Sequence, residues 1–371
     1  MIVESGIGRI IELHSQTRFA SYAKRSEHEG KLLGMYRALA ATQGQELARR
    51  AIQMIDRDDL DKAETILRNL SHLVPNSLNG LHHELMNRNF FYPHVVYLEA
   101  DEVTTRRLLD RAEKDARNRN HLLCAAAWAG NEVVQKQFAT WRVKPPVWRS
   151  SLHVSPEKCA QQAGWALTAD GARKNLFFEA CYTLARADEH SAPGDDAPVR
   201  IALAEDAYCR WCDRQLTVLF DINAACAQLN FMPVVAERLR FLMCDRCSCY
   251  GTMYFDLAAD GSSTWSLNNS RPEFIYMGEW DRLPENKMRL GVPRRSPYEA
   301  DQFVMEEGMS QIGGHPAWIQ DAEYPPCPEC GDLMSFIAQL QTSDLEEISE
   351  GTTYCFLCPG CRVTAVNYQQ T

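Results

Sequence analysis

Four Cys-x-x-Cys pairs, Cys209/Cys212, Cys244/Cys247, Cys327/Cys330 and Cys358/Cys361, account for eight of the 14 cysteines and all lie in the second half of the 371-residue chain. A Cys-x-x-Cys on a tight turn puts two sulfurs on one side of a metal ion. Zinc takes four ligands in a tetrahedron, so two such knuckles close one site. The gaps inside the two implied sites are alike, with 31 residues between Cys212 and Cys244 and 27 between Cys330 and Cys358.

The flanks repeat as well. Cys209-Arg-Trp-Cys212 is followed by Leu216, Leu219 and Ile222, and Cys327-Pro-Glu-Cys330 by Met334, Ile337 and Leu340, at the same offsets. Phe241-Leu242-Met243 leads into Cys244, and Cys355-Phe356-Leu357 leads into Cys358. Each second knuckle then enters a β-rich stretch, Tyr250 to Leu257 and Val363 to Tyr368. The economical account is a duplicated unit with two structural zinc ions and no open coordination position, hence no catalytic metal. Cys124, Cys159, Cys181, Cys226, Cys249 and Cys355 lie in apolar surroundings and read as core thiols. Cys249 and Cys355 are the two placed to substitute as ligands.

That assignment assumes a reducing compartment, where thiols and thiolate–metal bonds outlast disulfides. Met1-Ile2-Val3-Glu4-Ser5-Gly6 has neither the basic nor the apolar region of a secretory signal, and no stretch approaches the roughly 20 apolar residues of a membrane helix. The expectation is a cytoplasmic protein with no membrane partner.

The pattern predicts an α+β chain of two domains: a helical, repeat-like domain over 1–190 and a β-rich zinc-binding domain over 201–371. Apolar residues recur at helical spacing over Lys31–Asp56, Asp61–Leu73 and Glu102–Arg117. His121 to Val134, with Gly130-Asn131 at its turn, is weakly ankyrin-like, and His153 falls near the next ankyrin period. Trp141 to Trp148 contains Pro145-Pro146 and predicts an extended connection. Asp188 to Pro198 reads as the interdomain linker. Strands are expected at Leu239–Met243, Gly251–Leu257, Phe274–Met277, Met334–Leu340 and Tyr354–Leu357, with Asp260-Gly261 turning a hairpin.

Ile312-Gly-Gly-His-Pro-Ala-Trp-Ile-Gln320, then Cys327-Pro-Glu-Cys-Gly331, Phe336-Ile-Ala-Gln339 and the closing Tyr368-Gln-Gln-Thr371 resemble the YwqG-like family of bacterial proteins. The resemblance covers roughly residues 201–371. It implies an immunity protein of a bacterial polymorphic toxin system, of the Rhs or type VI kind, and carries over no catalytic residues. Gly313-Gly314 lacks the Lys-Ser/Thr and helix of a phosphate loop and reads as a turn packing Trp318 on the second zinc unit.

Charge bears on the partner. Residues 1–200 carry 27 Lys+Arg against 25 Asp+Glu, whereas residues 201–371 carry 12 against 24. An acidic surface speeds association with a basic cleft, as a toxin domain would offer. Asp344, Glu346 and Glu347, in the acidic segment Ser343 to Glu350, are the candidate partner-binding residues. The alternatives are a zinc ribbon binding nucleic acid, for which the charge has the wrong sign apart from Arg294-Arg295, and a protein-interaction scaffold. No nucleophile elbow, metalloprotease motif or other catalytic constellation is present, so no enzyme is expected.

Overall fold

A computed structural model of the chain describes residues 2–16, 22–186, 194, 196–278, 283, 288–301, 308–345 and 350–370. It forms two units: Met1–Asn175 with a short return segment beginning at Asp301, and Leu176–Ala300 with Gly308–Thr371. The first is helical and the second β-rich, so the chain is α+β.

The helical unit runs α1 (Ile2–Leu13), α2 (Tyr22–Arg37), α3 (Ala41–Ile55), α4 (Leu60–Leu73), α5 (His82–Asn87), α6 (Glu102–Lys114), α7 (Arg119–Ala129), α8 (Glu132–Val143) and α9 (Pro156–Gln162). The expected periodic segment Lys31–Asp56 is two helices, broken at Ala38–Ala40, where Gln43 reaches back to the Ala40 N–H. α3 and α4 bury one face each, Leu47, Ala48, Ala51 and Ile52 against Ala63, Ile66, Leu67 and Leu70. Gly44 allows the close approach, since a Cβ there would meet the Ser77 and Val74 side chains at 2.9 Å. Asp101 caps α6 and Asn131 caps α8, each accepting from the backbone N–H three residues on. Gly130 takes the left-handed conformation that ends α7.

The helix–Gly130–Asn131–helix turn matches the ankyrin-like reading of 121–134, but no second hairpin follows. After α8 comes a 3-10 turn (Val147–Ser151) and then the short α9. Trp141 is not in an extended connection; it sits in the last turns of α8, 4% exposed and packed on Phe138 and Trp148. That aromatic contact continues the helix up to the two prolines, which do stop it. α7 and α9 are also joined covalently by a disulfide between Cys124 and Cys159. The sequence alone reads both as core thiols; 35 residues apart, they are brought together by packing of the two helices.

The unit closes with a small hairpin, β1 (Trp165–Leu167) on β2 (Arg173–Asn175), and the second unit opens with β3 (Phe178–Arg186). The helical domain therefore ends near residue 175 and not 190, because β3 pairs inside the large sheet. Its remaining strands are β4 (Val199–Tyr208), β5 (Gln215–Ile222), β6 (Leu239–Met243), β7 (Met253–Leu257), β8 (Ser263–Trp265), β9 (Met288–Pro293), β10 (Gln311–Gly314), β11 (Ser335–Gln341), β12 (Thr352–Cys358) and β13 (Val363–Gln369). Of the expected linker Asp188–Pro198, residues 188–193 and 195 lie outside the described residues.

Among the described residues, β8-β7-β13-β12-β11-β10-β3-β9 form one antiparallel sheet and β4-β5-β6 another. The Asp260-Gly261 hairpin joins β7 to β8 as expected, with Gly261 at φ 85°. Phe274–Met277, expected as a strand, is an exposed irregular segment. Among the described residues it pairs with no strand and instead hangs on the Tyr250 and Arg246 side chains.

The two sheets share one core, in which Leu219, Phe241 and Leu242 meet Met253, Phe255, Cys355, Leu357 and Val366. β12 is buried on both faces, so its sequence shows no alternation. Cys355 and Leu357 point into the shared core, while Tyr354 and Phe356 pack on Trp318, with ring centroids 4.7 and 6.2 Å away. Trp318 thus packs on the second cysteine unit as expected, but Gly313 and Gly314, at φ 71° and 75°, lie in β10 at the register shift against β3 and not in a turn.

Candidate metal centres

Each first knuckle closes with the same hydrogen bonds. The Cys209 N–H donates to the Arg214 carbonyl (2.8 Å) and the Asp213 N–H to the Cys209 carbonyl (2.9 Å). The Cys327 N–H donates to the Asp332 carbonyl (2.7 Å) and the Gly331 N–H to the Cys327 carbonyl (2.8 Å). The fifth residue of each turn is left-handed, Asp213 at φ 58° and Gly331 at φ 78°. That geometry aims both sulfurs to one side.

Each second knuckle follows a strand that pairs with the strand leaving the first: β6 with β5, and β12 with β11. Even the irregularities coincide. The β5–β6 register slips between Val218 and Phe220, and the β11–β12 register between Phe336 and Ala338. The skipped residues, Leu219 and Ile337, both lie seven positions after the knuckle's second cysteine. A bulge re-aims a strand, and here it recurs at the same distance from each metal-ligand pair. The duplication expected from the flanks is therefore present in the backbone.

Pairing brings the knuckles together. Cys209, Cys212, Cys244 and Cys247 form one cluster and Cys327, Cys330, Cys358 and Cys361 the other, with all four sulfurs of each within 4.8 Å of one another. Cys212 Sγ lies 3.5 Å from Cys244 Sγ, and Cys330 Sγ 3.8 Å from Cys358 Sγ. A tetrahedron with Zn–S bonds of about 2.3 Å has sulfur–sulfur edges of about 3.8 Å. These spacings suit a shared ion and are too long for disulfides. Neither possible substitute joins a cluster. Cys355 is fully buried on β12, its thiol pushed well up by desolvation, and Cys249 Sγ donates to the Arg246 carbonyl at 3.3 Å.

The four thiols of each cluster are not equivalent. Hydrogen bonds from the Cys244 and Cys247 sulfurs pull Cys209 down to about 4, while the same contacts push Cys244 and Cys247 up. In the second cluster the Asp332 backbone amide and neighbouring sulfurs pull Cys330 down, and Cys361 rises to about 12 against Cys330. Four thiolates complete a tetrahedron, and the arrangement offers no free coordination position for substrate.

The two centres differ in cover. In the first, Cys209, Cys244 and Cys247 are fully buried, and Trp211, between its two ligands, is 6% exposed and stands edge-on to Trp265. In the second, Cys330 is exposed and Cys361 half-exposed. The sequence signal for this was the residues between the cysteines: Arg-Trp and Asp-Arg in the first centre, Pro-Glu and Pro-Gly in the second.

Sequence reasoning missed a charged knot on the three-stranded sheet that carries the first centre. Asp221 of β5 is wholly buried and pairs across the sheet with Arg200 of β4 and Arg240 of β6. Its carboxylate accepts from Arg200 Nη2 at 2.5 Å and from Arg238 Nε, with Arg240 Nε 3.6 Å away. It missed too how the segment Phe274–Met277 is held. The Tyr276 N–H donates to the Tyr250 hydroxyl (3.0 Å), Tyr250 stands edge-on to Phe274, and Arg246 Nη2 donates to the Gly278 carbonyl (2.7 Å). Arg246 lies between the ligands Cys244 and Cys247, so the first centre positions this segment.

The expected partner residues are placed otherwise. Asp344 is turned inward: its carboxylate accepts from the Ser310 N–H (2.8 Å), burial pushes its acid up, and its carbonyl accepts from Arg186. Glu346 and Glu347 lie outside the described residues. Arg294, the basic residue considered for nucleic acid, is 9% exposed and donates to the Gly308 carbonyl (2.6 Å).

The chain is 37% identical over 268 residues to the uncharacterized protein YpfL of Salmonella typhimurium, an alignment spanning 71% of this chain. The chain spans 62% of that relative's length. No family model matches the chain, and no solved structure matches it. No helix among the described residues is long and apolar enough to cross a membrane.

Proposed function

We propose that the chain is a zinc-stapled binding protein, without catalytic activity of its own, that neutralises a protein partner. The partner class follows from the resemblance to YwqG-like proteins: a toxin domain of a bacterial polymorphic system, met in the cytoplasm. The observation that carries the binding role is the strip Phe274, Tyr276 and Met277, exposed by 69, 57 and 55%. Aromatic residues and methionine are the types enriched at interface centres, and this strip is held by Tyr250 and by Arg246 in the second knuckle of the first centre. A pre-ordered apolar strip loses less entropy on binding. It lies in the half of the chain with 12 basic against 24 acidic residues, which complements a basic active-site cleft and opposes nucleic acid.

Zinc is the metal of best fit, since four thiolates in a tetrahedron are its usual structural set. Metal analysis of the purified chain is expected to find two zinc ions. The triple variant Phe274→Ala, Tyr276→Ala, Met277→Ala is expected to keep both ions and lose protection against the toxin domain encoded beside its gene. Full protection by that variant would remove the strip from the binding surface.

A further inference from the structure

We propose that the second metal centre is a site of oxidative modification: peroxide attacks its exposed thiolate and expels the zinc ion, while the first centre keeps its own. The proposal rests on the zinc reading above. Its starting point is the asymmetry of two centres built on one duplicated plan. Cys330 is exposed and Cys361 half-exposed, and the residues around them, Glu329, Gly331, Asp332, Pro359 and Gly360, are all exposed. At the first centre Trp211, Asp245 and Ser248 are buried at 6, 5 and 3% exposure and, of its four cysteines, Cys212 alone is half-buried, although Arg210 and Asp213 beside them are exposed.

Charge adds to access. Within two residues of its ligands the first centre has Arg210, Arg214 and Arg246 against Asp213 and Asp245. The second has Glu329 and Asp332 against Arg362 alone. A zinc ion with four thiolates carries two net negative charges. The first set of neighbours offsets that charge, whereas the second adds to it and leaves electron density on the sulfurs. Thiolate character together with access decides which cysteine sulfur reacts with an oxidant.

The chemistry balances with a peroxide as the oxidant. The Cys330 thiolate attacks one peroxide oxygen, the O–O bond breaks, and the products are a sulfenic acid and hydroxide. A second thiolate of the site, Cys358 at 3.8 Å, displaces that oxygen as hydroxide to form the disulfide. In sum two thiolates, one hydrogen peroxide and two protons give one disulfide and two waters. Two sulfurs are oxidised by one electron each and both peroxide oxygens are reduced. The ion is left with two thiolates and dissociates.

The test uses the full-length chain loaded with two zinc ions. Hydrogen peroxide is added in increments, released zinc is read with a chromogenic chelator, and cysteines are mapped by differential alkylation and mass spectrometry. The expected result is release of one ion together with oxidation of Cys330 and its neighbours, while Cys209, Cys212, Cys244 and Cys247 stay reduced. A thiol reductant with added zinc should restore two ions per chain. Glu329→Lys, which leaves all ligands in place, should slow the release. Oxidation of the first centre before the second, or of both at equal rates, would overturn the proposal. A chain purified with fewer than two zinc ions would instead overturn the zinc reading, and this inference with it.

Discussion

Replacing Asp221 with Asn should destabilise the β-rich unit without emptying either metal centre. Asp221 is fully buried on the central strand of the three-stranded sheet, and its carboxylate faces Arg200, Arg238 and Arg240. The side chains of Arg200 and Arg238 are only 16 and 17% exposed, so water replaces little of what the carboxylate supplies. An amide there removes the charge and points an N–H donor at donors. Removing one partner of a buried ion pair costs about 3–5 kcal/mol, and the slight exposure of the arginines places this case near about 3 kcal/mol. That corresponds to about a 150-fold rise in the opening equilibrium constant. Hydrogen exchange of peptides covering β5 and β6 reads the change directly, as exchange faster by that factor where opening precedes exchange. Zinc content should remain two per chain, because Asp221 lies six residues beyond the start of β5, about 20 Å along the strand from the first knuckle. Acceleration below about fivefold, equivalent to about 1 kcal/mol, would refute the claim that the carboxylate holds the knot. Loss of one zinc ion would refute the claim that the knot and the centre are independent.

Two further outcomes concern the helical unit. Desolvation lowers His14 and His82 to about 4, and burial with the neighbouring His121 lowers His94 to about 3. All three are therefore neutral in the fold and take up protons near 6.5 when unfolded. Their contribution is intact above pH 6.5 and is lost as pH falls from there toward 4. For His82, 2% exposed, the loss at pH 5 is about 2 kcal/mol. Helical signal followed against urea at pH 7.5 and pH 5 checks this, and equal midpoints would contradict it. Reducing the Cys124–Cys159 disulfide, which closes a 35-residue loop, should lower the stability of this unit by about 3–4 kcal/mol on the loop-entropy account. Parallel unfolding curves with and without reductant measure it, and coincident curves would contradict it.

The amino-acid sequence by itself determined the two ligand sets and the order of helices before strands. Ligand spacing is a local property: a Cys-x-x-Cys turn is built from five or six consecutive residues, and its flanking apolar offsets travel with it. Helical faces such as Ala63, Ile66, Leu67 and Leu70 were legible for the same reason, since their periodicity repeats within one element. What only the tertiary structure decided depends on residues far apart. β3 was hidden at the end of the helical half because its partners, β9 and β10, come more than 100 residues later. Cys124 met Cys159 through helix packing, and Asp221 met its arginines across three strands. Asp344, charged and in an acidic run, turned inward because the Ser310 amide needed an acceptor. The unequal cover of the two centres also arose here. One repeated motif closes two sites of the same ligand chemistry, but Trp211 finds Trp265 to stand against, while the knuckles of the second centre, built on Pro-Glu and Pro-Gly, leave theirs open.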